Sequence, residues 1–569
     1  MTPAMPRRLV IAVLLVLAVA PYFVDLGGSS IWDANEAFYV ETPREMMQSG
    51  DFIAPTFNYE PRFNKPVLSY WIVAGFYSLF GVSVGVQRIP IAIAGVVIIL
   101  TAFFLARAAA AARTPGEATR GMDAALWAAL GLAIAPRLLM FSRRIFIDIY
   151  ISMFMGLTLL FFALAERYPA RRRLFLVLMY VAVGLGTLTK GPIAIALPGL
   201  VFGLYLLVHG ELGRVRRMLI PAGLLIVLAI VVPWYAALYH RFGWTHISSF
   251  FIGENVARYT EGLGVQPIRG AWYYLPVVFS DSFPWSLCLI GAAAMWNSDR
   301  RAARRAQLSQ NDPSLRVRTL LWLWILAIVV FFTMSAAKQD LYIFPIVPAV
   351  AALAGLFIAR AEDAGEPRWA GPLRVTAVAA GLLLAAGGIG TLYIFHAAGK
   401  VYALDGAATV GIVGAAGGVV TLALALWKRA GAALVALAIA MTTLNWTFVL
   451  RVLPSFEQYK PVPPLSQAIR ERAQAIDRVA HYNVALPSMV YYLDRHIDTF
   501  FEPQPFIDAL RSGGTVYAVL SESDYLKMAP EIGVKTCVIQ RAPTVNVKLG
   551  AVLARDPLPL VILITNRCP

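Results

Sequence analysis

The chain has 569 residues, of which 59% are hydrophobic and only 14% are charged. Soluble domains carry about 25% charged residues, so this composition excludes an ordinary soluble globular protein. The net charge of +16 does not indicate a nucleic-acid partner, because most of the excess Lys and Arg lies in short gaps between apolar runs, where it sets membrane topology.

Apolar runs near the roughly 20 residues that cross a bilayer follow one another as far as residue 450. No A-x-A-like cleavage site follows the first run, so we expect a retained helix rather than a removed signal peptide. The thirteen predicted membrane segments are 8–26, 86–108, 122–141, 146–165, 174–190, 192–209, 218–238, 273–296, 317–335, 341–359, 373–396, 408–427 and 430–450. The pattern predicts a polytopic α-helical membrane protein, with the transmembrane domain over 1–451.

Basic residues fall in or beside every second gap between these segments. The seven clusters are Arg7/Arg8, Arg113/Arg120, Arg167/Arg171/Arg172/Arg173, Arg214/Arg216/Arg217, the run 300–318, Arg360/Arg368/Arg374 and Lys428/Arg429. Because basic loops remain in the cytoplasm, the clusters predict a cytoplasmic N-terminus. An odd number of segments then places the residues after 451 outside.

The first outward gap, 27–85, concentrates charge in a chain that is otherwise poor in it. Its stretch 32–70 reads WDANEAFYVETPREMMQSGDFIAPTFNYEPRFNKPVLSY, with aromatic residues interleaved among the charges. Two amphipathic pieces are expected at about 36–48 and 66–80, the second lying in the membrane interface. Such a segment is costly to keep at a bilayer surface without a function, so we predict that it forms one wall of an active site.

The composition changes again from Leu453, and we predict a small α/β domain over 452–569, outside the membrane. Its expected helices are 462–479 and 522–529, and its expected strands are 482–486, 515–520, 536–540 and 560–565. Cys537 and Cys568 both lie here, and they either pair, if the domain faces an oxidising compartment, or remain free. Cys288 lies in an apolar run and is expected to pack there.

Ionisable residues within membrane segments are functional hypotheses by default. Four of them map near the outward ends of their segments: Asp148, Lys190, Asp281 and Lys338. Five arginines belong to the same face: Arg143, Arg144, Arg241, Arg258 and Arg269. An ion-coupled transporter would instead place polar groups near the midplane. The distribution predicts a cavity at the outer surface on which carboxylates and cations converge.

Such a cavity suits the transfer of a sugar from a polyprenyl-phosphate carrier. Cations stabilise the negative charge that develops on the leaving phosphate, and a carboxylate takes the proton from the attacking hydroxyl. A single displacement of this kind would invert the anomeric centre. No nucleotide cofactor is required, in keeping with the absence of a Rossmann-type glycine motif. A divalent cation held by carboxylates of the first gap is left open.

Several motifs, in this order and at these topological positions, match one family. They are WDANEAFYVETPREMMQSGDFIAPTFN, RFNKPVLSYW, RRIFIDIYISMF, LTKGPIAIALPGL, FFIGENVARY with GAWYYLPV, and SAAKQDLYIFPIVPAVAA. Through them the chain resembles the membrane glycosyltransferases of the GT-C fold, in the branch of protein O-mannosyltransferases and bacterial aminoarabinose (lipid A) transferases. The resemblance implies an undecaprenyl-phosphate sugar donor, an acceptor on lipid A, protein or another envelope glycan, and an inner-membrane enzyme with a periplasmic active site.

The resemblance also implies roles for individual residues. The family has an Asp–Glu pair in the first outer loop, which Asn35 and Glu36 match here. Since Asn cannot act as a general base, Asp33 substitutes for it or Glu36 acts alone. We assign catalysis to Asp33 and Glu36 together, with Asp148 as a further carboxylate. The residues assigned to substrate binding are Lys65, Arg62, Tyr59, Arg258, Lys338, Tyr342 and Lys190.

Structural roles compete with these assignments in the first gap. The spacing of Asp33 and Glu36 is also that of a capping box at the start of an amphipathic helix. Lys65, which precedes a proline, could simply extend to lipid headgroups.

Structural roles compete near the later segments as well. Asp148 could pair with Arg143 or Arg144, and Lys190 with the following Gly-Pro could form only a tight turn. For the whole chain, the rival functions are a flippase for a lipid-linked glycan and a non-catalytic scaffold for the C-terminal domain. Polar residues near the membrane midplane and an internal repeat would favour a flippase, and the sequence displays neither.

Overall fold

The computed structural model describes residues 7–33, 35–110, 115–144, 147–262, 269–305, 312–363, 365–397, 402–544 and 556–568. A large helical region is followed by a small α/β domain. Of the predicted basic clusters, Arg113 and residues 306–311 lie outside the described residues.

The predicted membrane segments coincide with helices in the described part of the chain. These helices are Arg7–Val19, Val84–Ala109, Pro115–Ala133, Pro136–Ser142, Ile147–Arg167, Arg172–Lys190, Ile193–Val208, Ile220–Phe242, Tyr274–Asp281, Leu289–Arg305, Pro313–Met334, Val347–Ala361, Ala370–Leu392, Ala407–Leu426 and Ala430–Thr447. Within the described ranges, nine helical stretches are individually long and apolar enough to cross a membrane, and two bent pairs bring the number to 11. The protein is a multi-pass membrane protein.

Two predicted segments are broken rather than straight. The segment expected at 122–141 bends by 62° between Glu117–Ala133 and Pro136–Ser142, and the segment expected at 273–296 bends by 110° between Ala271–Asp281 and Trp285–Ala303. Proline explains the first break, because Pro136 has no amide hydrogen and disfavours a helical conformation at the residue before it. Ala135 is accordingly extended, with φ −67° and ψ 118°.

The first outer segment contains two helices, Asn35–Ser49 and Leu68–Phe80, close to the two amphipathic pieces predicted there. Between them, β1 (Thr56–Phe57) and β2 (Glu60–Pro61) form a short antiparallel hairpin. Its two turn residues, Asn58 and Tyr59, have φ of 59° and 63°. This left-handed pair is the conformation of the two-residue turn that best suits the twist of a hairpin.

The C-terminal domain is built on one five-stranded sheet with the order β4-β3-β5-β7-β6. The strands are β3 (Arg478–Tyr482), β4 (Asp498–Phe500), β5 (Val516–Ser521), β6 (Cys537–Pro543) and β7 (Leu560–Thr565), and the helices are Val462–Arg470, Ser488–Leu493, Pro503–Arg511 and Glu522–Ile532. Strand β3 pairs in parallel with β4 and β5, whereas β7 is antiparallel to both β5 and β6.

Two of the element bounds predicted for this domain were wrong. The first helix ends at Arg470 and not at 479, and the first strand occupies Arg478–Tyr482 and not 482–486. Four consecutive residues of this strand are buried, because helices cover both faces of the sheet. The sequence therefore lacks the alternation that marks a half-exposed strand. Strand β4 was not predicted, because its three residues are too few for any periodicity to be detected.

Cys537 and Cys568 form a disulfide that joins the start of β6 to the residues after β7. The double substitution Cys537→Ser/Cys568→Ser is expected to lower the free energy of unfolding of this domain by about 3–4 kcal/mol, because the bond closes a loop of 31 residues. Protease resistance of the domain in increasing urea would measure the loss. Cys288→Ala is the matched control, and equal resistance with and without reductant in the wild type would contradict the prediction.

Candidate functional site

A cavity of about 800 Å³ lies between the helical region and the first outer segment. Seven charged side chains belong to its lining: Lys65, Asp148, Lys190, Glu254, Arg258, Arg269 and Asp340. Apolar and aromatic residues make up most of the remainder, among them Tyr39, Phe331 and Tyr342. Five of the residues assigned from the sequence are therefore brought together: Lys65, Asp148, Lys190, Arg258 and Tyr342.

The ends of two helices place Asp148 and Lys190 beside each other. Asp148 lies in the first turn of Ile147–Arg167, and Lys190 is the last residue of Arg172–Lys190. Gly191 ends that helix with φ of 92°, and an added Cβ would lie 2.7 Å from the ring of Phe250. The tight turn and a cavity-lining lysine are thus both present, and the turn requires glycine at position 191.

Asp148 and Lys190 form an ion pair, and the ammonium lies 5.4 Å from the ring centre of Tyr342. The pairing of Asp148 with Arg143 or Arg144, considered from the sequence, is not what the structure contains. Arg143 donates instead to the backbone carbonyls of residues 21, 24 and 25. Arg144 stacks on Trp32 at 4.0 Å from the ring centre.

A second charged cluster lies on Glu254, which accepts from Lys65 at 2.9 Å and pairs with Arg258 at 3.2 Å. Burial, the largest influence, lowers the pKa of Lys65 below its ordinary value despite the nearby carboxylate. Burial works against ionisation of Glu254 as well, but Lys65 and Arg258 together hold the pKa of Glu254 below its ordinary value. The carboxylate is therefore charged at neutral pH.

Three residues assigned to substrate binding do not belong to the cavity lining. Lys338 donates to the carbonyl oxygen of Ser335 at 2.7 Å. Arg62 lies over the ring of Phe38 at 3.9 Å. Tyr59 turns toward the C-terminal domain, where its hydroxyl donates to Asp494 at 3.3 Å. Each of these side chains contacts another protein group instead.

Glu36 lies in a buried ion pair outside the cavity. Arg88 donates to both carboxylate oxygens, at 2.7 and 2.9 Å, and each side chain is only 1% exposed. The amide of Trp32 donates to the same carboxylate at 2.9 Å. This carboxylate therefore fastens the start of the first outer helix to the membrane helix Val84–Ala109.

Asp33 lies against the C-terminal domain, where it accepts from the amide of Ser488 at 2.8 Å. Burial, the largest influence, raises the pKa of Asp33 to about 6, although the Ser488 amide and Lys460 favour the charged form. The side chain of Asn35 lies outside the described residues. Neither of the two first-gap carboxylates assigned to catalysis belongs to the cavity lining.

Comparison with known proteins gives the arrangement a context. The family model of the dolichyl-phosphate-mannose-protein mannosyltransferases matches residues 64–236, the stretch that supplies Lys65, Asp148 and Lys190. The undecaprenyl phosphate-alpha-4-amino-4-deoxy-L-arabinose arabinosyl transferase 1 of Pseudomonas fluorescens (strain Pf0-1) is 28% identical over 393 residues. The corresponding arabinosyl transferase of Pseudomonas aeruginosa (strain LESB58) is 31% identical over 356 residues.

Solved structures agree over nearly the whole chain. The crystal structure of ArnT from Cupriavidus metallidurans bound to undecaprenyl phosphate is 25% identical, with a TM-score of 0.73 and 98% of both chains covered. The apo structure of the same protein has a TM-score of 0.75 at 23% identity, again over 98% of both chains. The chain has the GT-C fold of these solved structures.

The sequence matches cover a smaller part of the chain than the structural matches do. The sequence matches cover 68% and 62% of this GT-C protein, and they span less than two thirds of the curated relatives, 64% and 60% of their lengths. The structural match extends over the C-terminal domain as well.

Sequence reasoning missed two cavity carboxylates of this GT-C protein, Glu254 and Asp340. Glu254 precedes Arg258 by four residues, a spacing at which side chains on a helix meet, so the motif FFIGENVARY held a usable signal. Asp340 pairs with Arg137 at 2.6 Å, and Arg137 pairs in turn with Asp281 at 3.0 Å. Nothing local in the sequence connects these three residues.

The sequence leaves a divalent cation open as a cofactor. In the described parts of this GT-C protein, no group of three or more His, Cys, Asp or Glu side chains could hold a metal ion. The carboxylates near the cavity are instead engaged by cations of the protein itself, as in the pairs Asp148–Lys190 and Glu254–Lys65.

Proposed function

We propose that this protein transfers a single sugar from an undecaprenyl-phosphate carrier to a hydroxyl or phosphate acceptor, with inversion. The observation that carries the proposal is the convergence of cations and carboxylates on one cavity, predominantly apolar in its lining. A lipid-linked donor needs an apolar surface for its chain and fixed charges for its phosphate. The relative crystallised with undecaprenyl phosphate supports this donor class.

The phosphate of the donor binds at Lys65 and Arg258. Their charged groups both lie within 3.2 Å of a single carboxylate oxygen, so they already converge on one anion. Cations so arranged stabilise the charge that grows on the phosphate as the glycosidic bond breaks, and mutational losses for such groups are about 10²- to 10³-fold. Lys190, near Tyr342, extends the positive surface toward the sugar.

Asp148 is the proton acceptor in this proposal. It lines the cavity, whereas Glu36, which pairs with Arg88, and Asp33, which accepts from the Ser488 amide, do not. A positioned carboxylate that takes the proton of the attacking hydroxyl contributes about 10²- to 10⁴-fold to the rate. With a hydroxyl acceptor, the acceptor oxygen bonds to the anomeric carbon, its proton passes to Asp148, and the electron pair of the broken bond stays on the carrier phosphate.

The active site faces the periplasm of a bacterial inner membrane, with the N-terminus in the cytoplasm. Alternating basic clusters support this orientation. The disulfide in the C-terminal domain agrees with it, because such bonds persist in oxidising compartments. An acceptor anchored in the periplasmic leaflet of the inner membrane reaches the cavity without leaving that membrane. Lipid A is therefore favoured over a protein hydroxyl or a free envelope glycan.

Lys65→Ala is expected to lower sugar transfer by about 10²-fold or more, because it removes a cation from the leaving phosphate. The measurement is release of sugar from extracted polyprenyl-phosphate donors onto lipid A, protein or glycan acceptors in purified membranes. Lys527→Ala, which removes an exposed lysine of the C-terminal domain, is the control. Normal activity of Lys65→Ala would remove this binding site. Movement of labelled lipid across the bilayer without transfer would instead support a flippase.

A further inference from the structure

Glu254 already occupies the place that the proposed function gives to the donor phosphate. One of its oxygens, Oε2, lies 2.9 Å from the ammonium of Lys65 and 3.2 Å from the guanidinium of Arg258. Charge-assisted contacts of this length are those that the same two cations would make with a phosphate oxygen. A phosphate oxygen and this carboxylate oxygen therefore cannot occupy the same position between the two cations at once.

The backbone that carries Glu254 is unusual. Residues Ser249–Ala257 form a π-helix of nine residues, which continues into Arg258–Thr260. Such helices are rare, occur mostly as single turns, and are frequent at functional sites. The segment packs against Gly191 through the ring of Phe250. Within the segment, the side-chain amide of Asn255 donates to the carbonyl of Phe250 at 2.8 Å. It presents Glu254, Asn255 and Arg258 together to the cavity.

The chemistry of the reaction supplies a reason for an internal anion. The donor is a phosphodiester with one negative charge, whereas the product carrier is a phosphate monoester with close to two. Lys65 and Arg258 therefore hold the product more strongly than the donor, and release of the carrier would limit turnover. An ionised carboxylate tethered beside these cations competes with the product for them.

We propose that Glu254 is a positioning residue that takes the donor-phosphate subsite between turnovers and displaces the carrier phosphate after transfer. The inference rests on the proposed function, since it assigns a competitor to the phosphate subsite of that reaction. No bond forms or breaks at Glu254. Its carboxylate exchanges places with a phosphate, and Lys65 and Arg258 keep an anionic partner in both states. The low pKa of Glu254 means that the exchange does not require its protonation.

The test compares binding and turnover in Glu254→Gln with those of the wild type in nanodiscs. Undecaprenyl phosphate is expected to bind the variant about five- to tenfold more tightly, as removal of a competing ion pair predicts. The first turnover of donor is expected to stay close to wild type, while steady-state turnover falls because the product leaves slowly. A merely structural role would lower both rates together. Glu261→Gln, which removes an exposed charge directly after this segment, is the matched control.

Glu254→Asp keeps the charge on a shorter side chain, so it tests the idea if Glu254→Gln fails to fold, and its affinity is expected between those of the wild type and Glu254→Gln. Unchanged or weaker binding by Glu254→Gln, together with weakened binding by Lys65→Ala, overturns the role of Glu254 and leaves the proposed function intact. If the wild type does not bind undecaprenyl phosphate, or if Lys65→Ala binds it normally, the phosphate subsite itself is overturned, and the role of Glu254 with it.

Discussion

Asp148→Asn is expected to lower the rate of sugar transfer by about 10²- to 10⁴-fold, the loss typical of a missing general base. The amide keeps the shape of the side chain but cannot take the proton of the attacking hydroxyl. Single-turnover transfer with saturating donor measures the step directly. Binding of undecaprenyl phosphate is expected to change little, because Lys65 and Arg258 remain.

The ion pair with Lys190 offers a control for a purely structural role. If Asp148 only neutralised Lys190, the double substitution Asp148→Asn/Lys190→Met would transfer sugar as fast as Lys190→Met alone, whereas a missing base would add its own loss. Asp508→Asn removes an exposed carboxylate of the C-terminal domain and is expected to leave transfer unchanged. A rate within about twofold of wild type for Asp148→Asn would move the base to another cavity carboxylate, with Asp340 as the next candidate.

Glu36→Gln is expected to act on folding, with a loss of about 3–5 kcal/mol in the free energy of unfolding. The substitution leaves the buried guanidinium of Arg88 without its carboxylate, and removal of one partner of a buried pair has this magnitude. Yield and the thermal unfolding midpoint in detergent measure the effect. Transfer per folded molecule is expected to persist.

Two companion variants separate stability from catalysis at this position. Glu471→Gln removes an exposed carboxylate, 56% accessible, and is expected to leave the midpoint unchanged. Glu36→Leu/Arg88→Met replaces the whole pair by apolar groups and is expected to recover part of the lost stability. A Glu36→Gln protein that folds like the wild type but does not transfer sugar would return Glu36 to the catalytic role that the family's Asp–Glu pair implies.

The cavity was predictable in outline because its cations and one of its carboxylates lie at segment ends that hydropathy and charge alone locate. Lys190 and Asp148 are such residues, since each lies where an apolar run meets a polar gap. The motif around Lys65 added a third. Lys338 was placed by the same reasoning, yet its ammonium binds a nearby carbonyl, because a position at a segment end does not determine the direction of a flexible side chain.

The partners of the two first-gap carboxylates, Asp33 and Glu36, could not be predicted from the local sequence. The family resemblance assigns catalysis to Asp33 and Glu36, and this assignment stays a prediction. Their partners in the structure are distant in sequence. Glu36 meets Arg88 across 52 residues, and Asp33 meets Ser488 across 455. A carboxylate in a polar segment looks the same in sequence whether it faces a substrate or a buried arginine.

The amino-acid sequence by itself determined the membrane segments, their expected orientation, the small α/β domain and the family resemblance, because apolar length, loop charge and motif order are properties of the chain taken locally. Only the tertiary structure decided which charges share the cavity. It paired Lys190 with Asp148 and Lys65 with Glu254, and it buried Glu36 against Arg88. The physical reason is that the function of an ionisable side chain depends on the charge and burial around it, and in this protein those surroundings come from helices far apart in the chain.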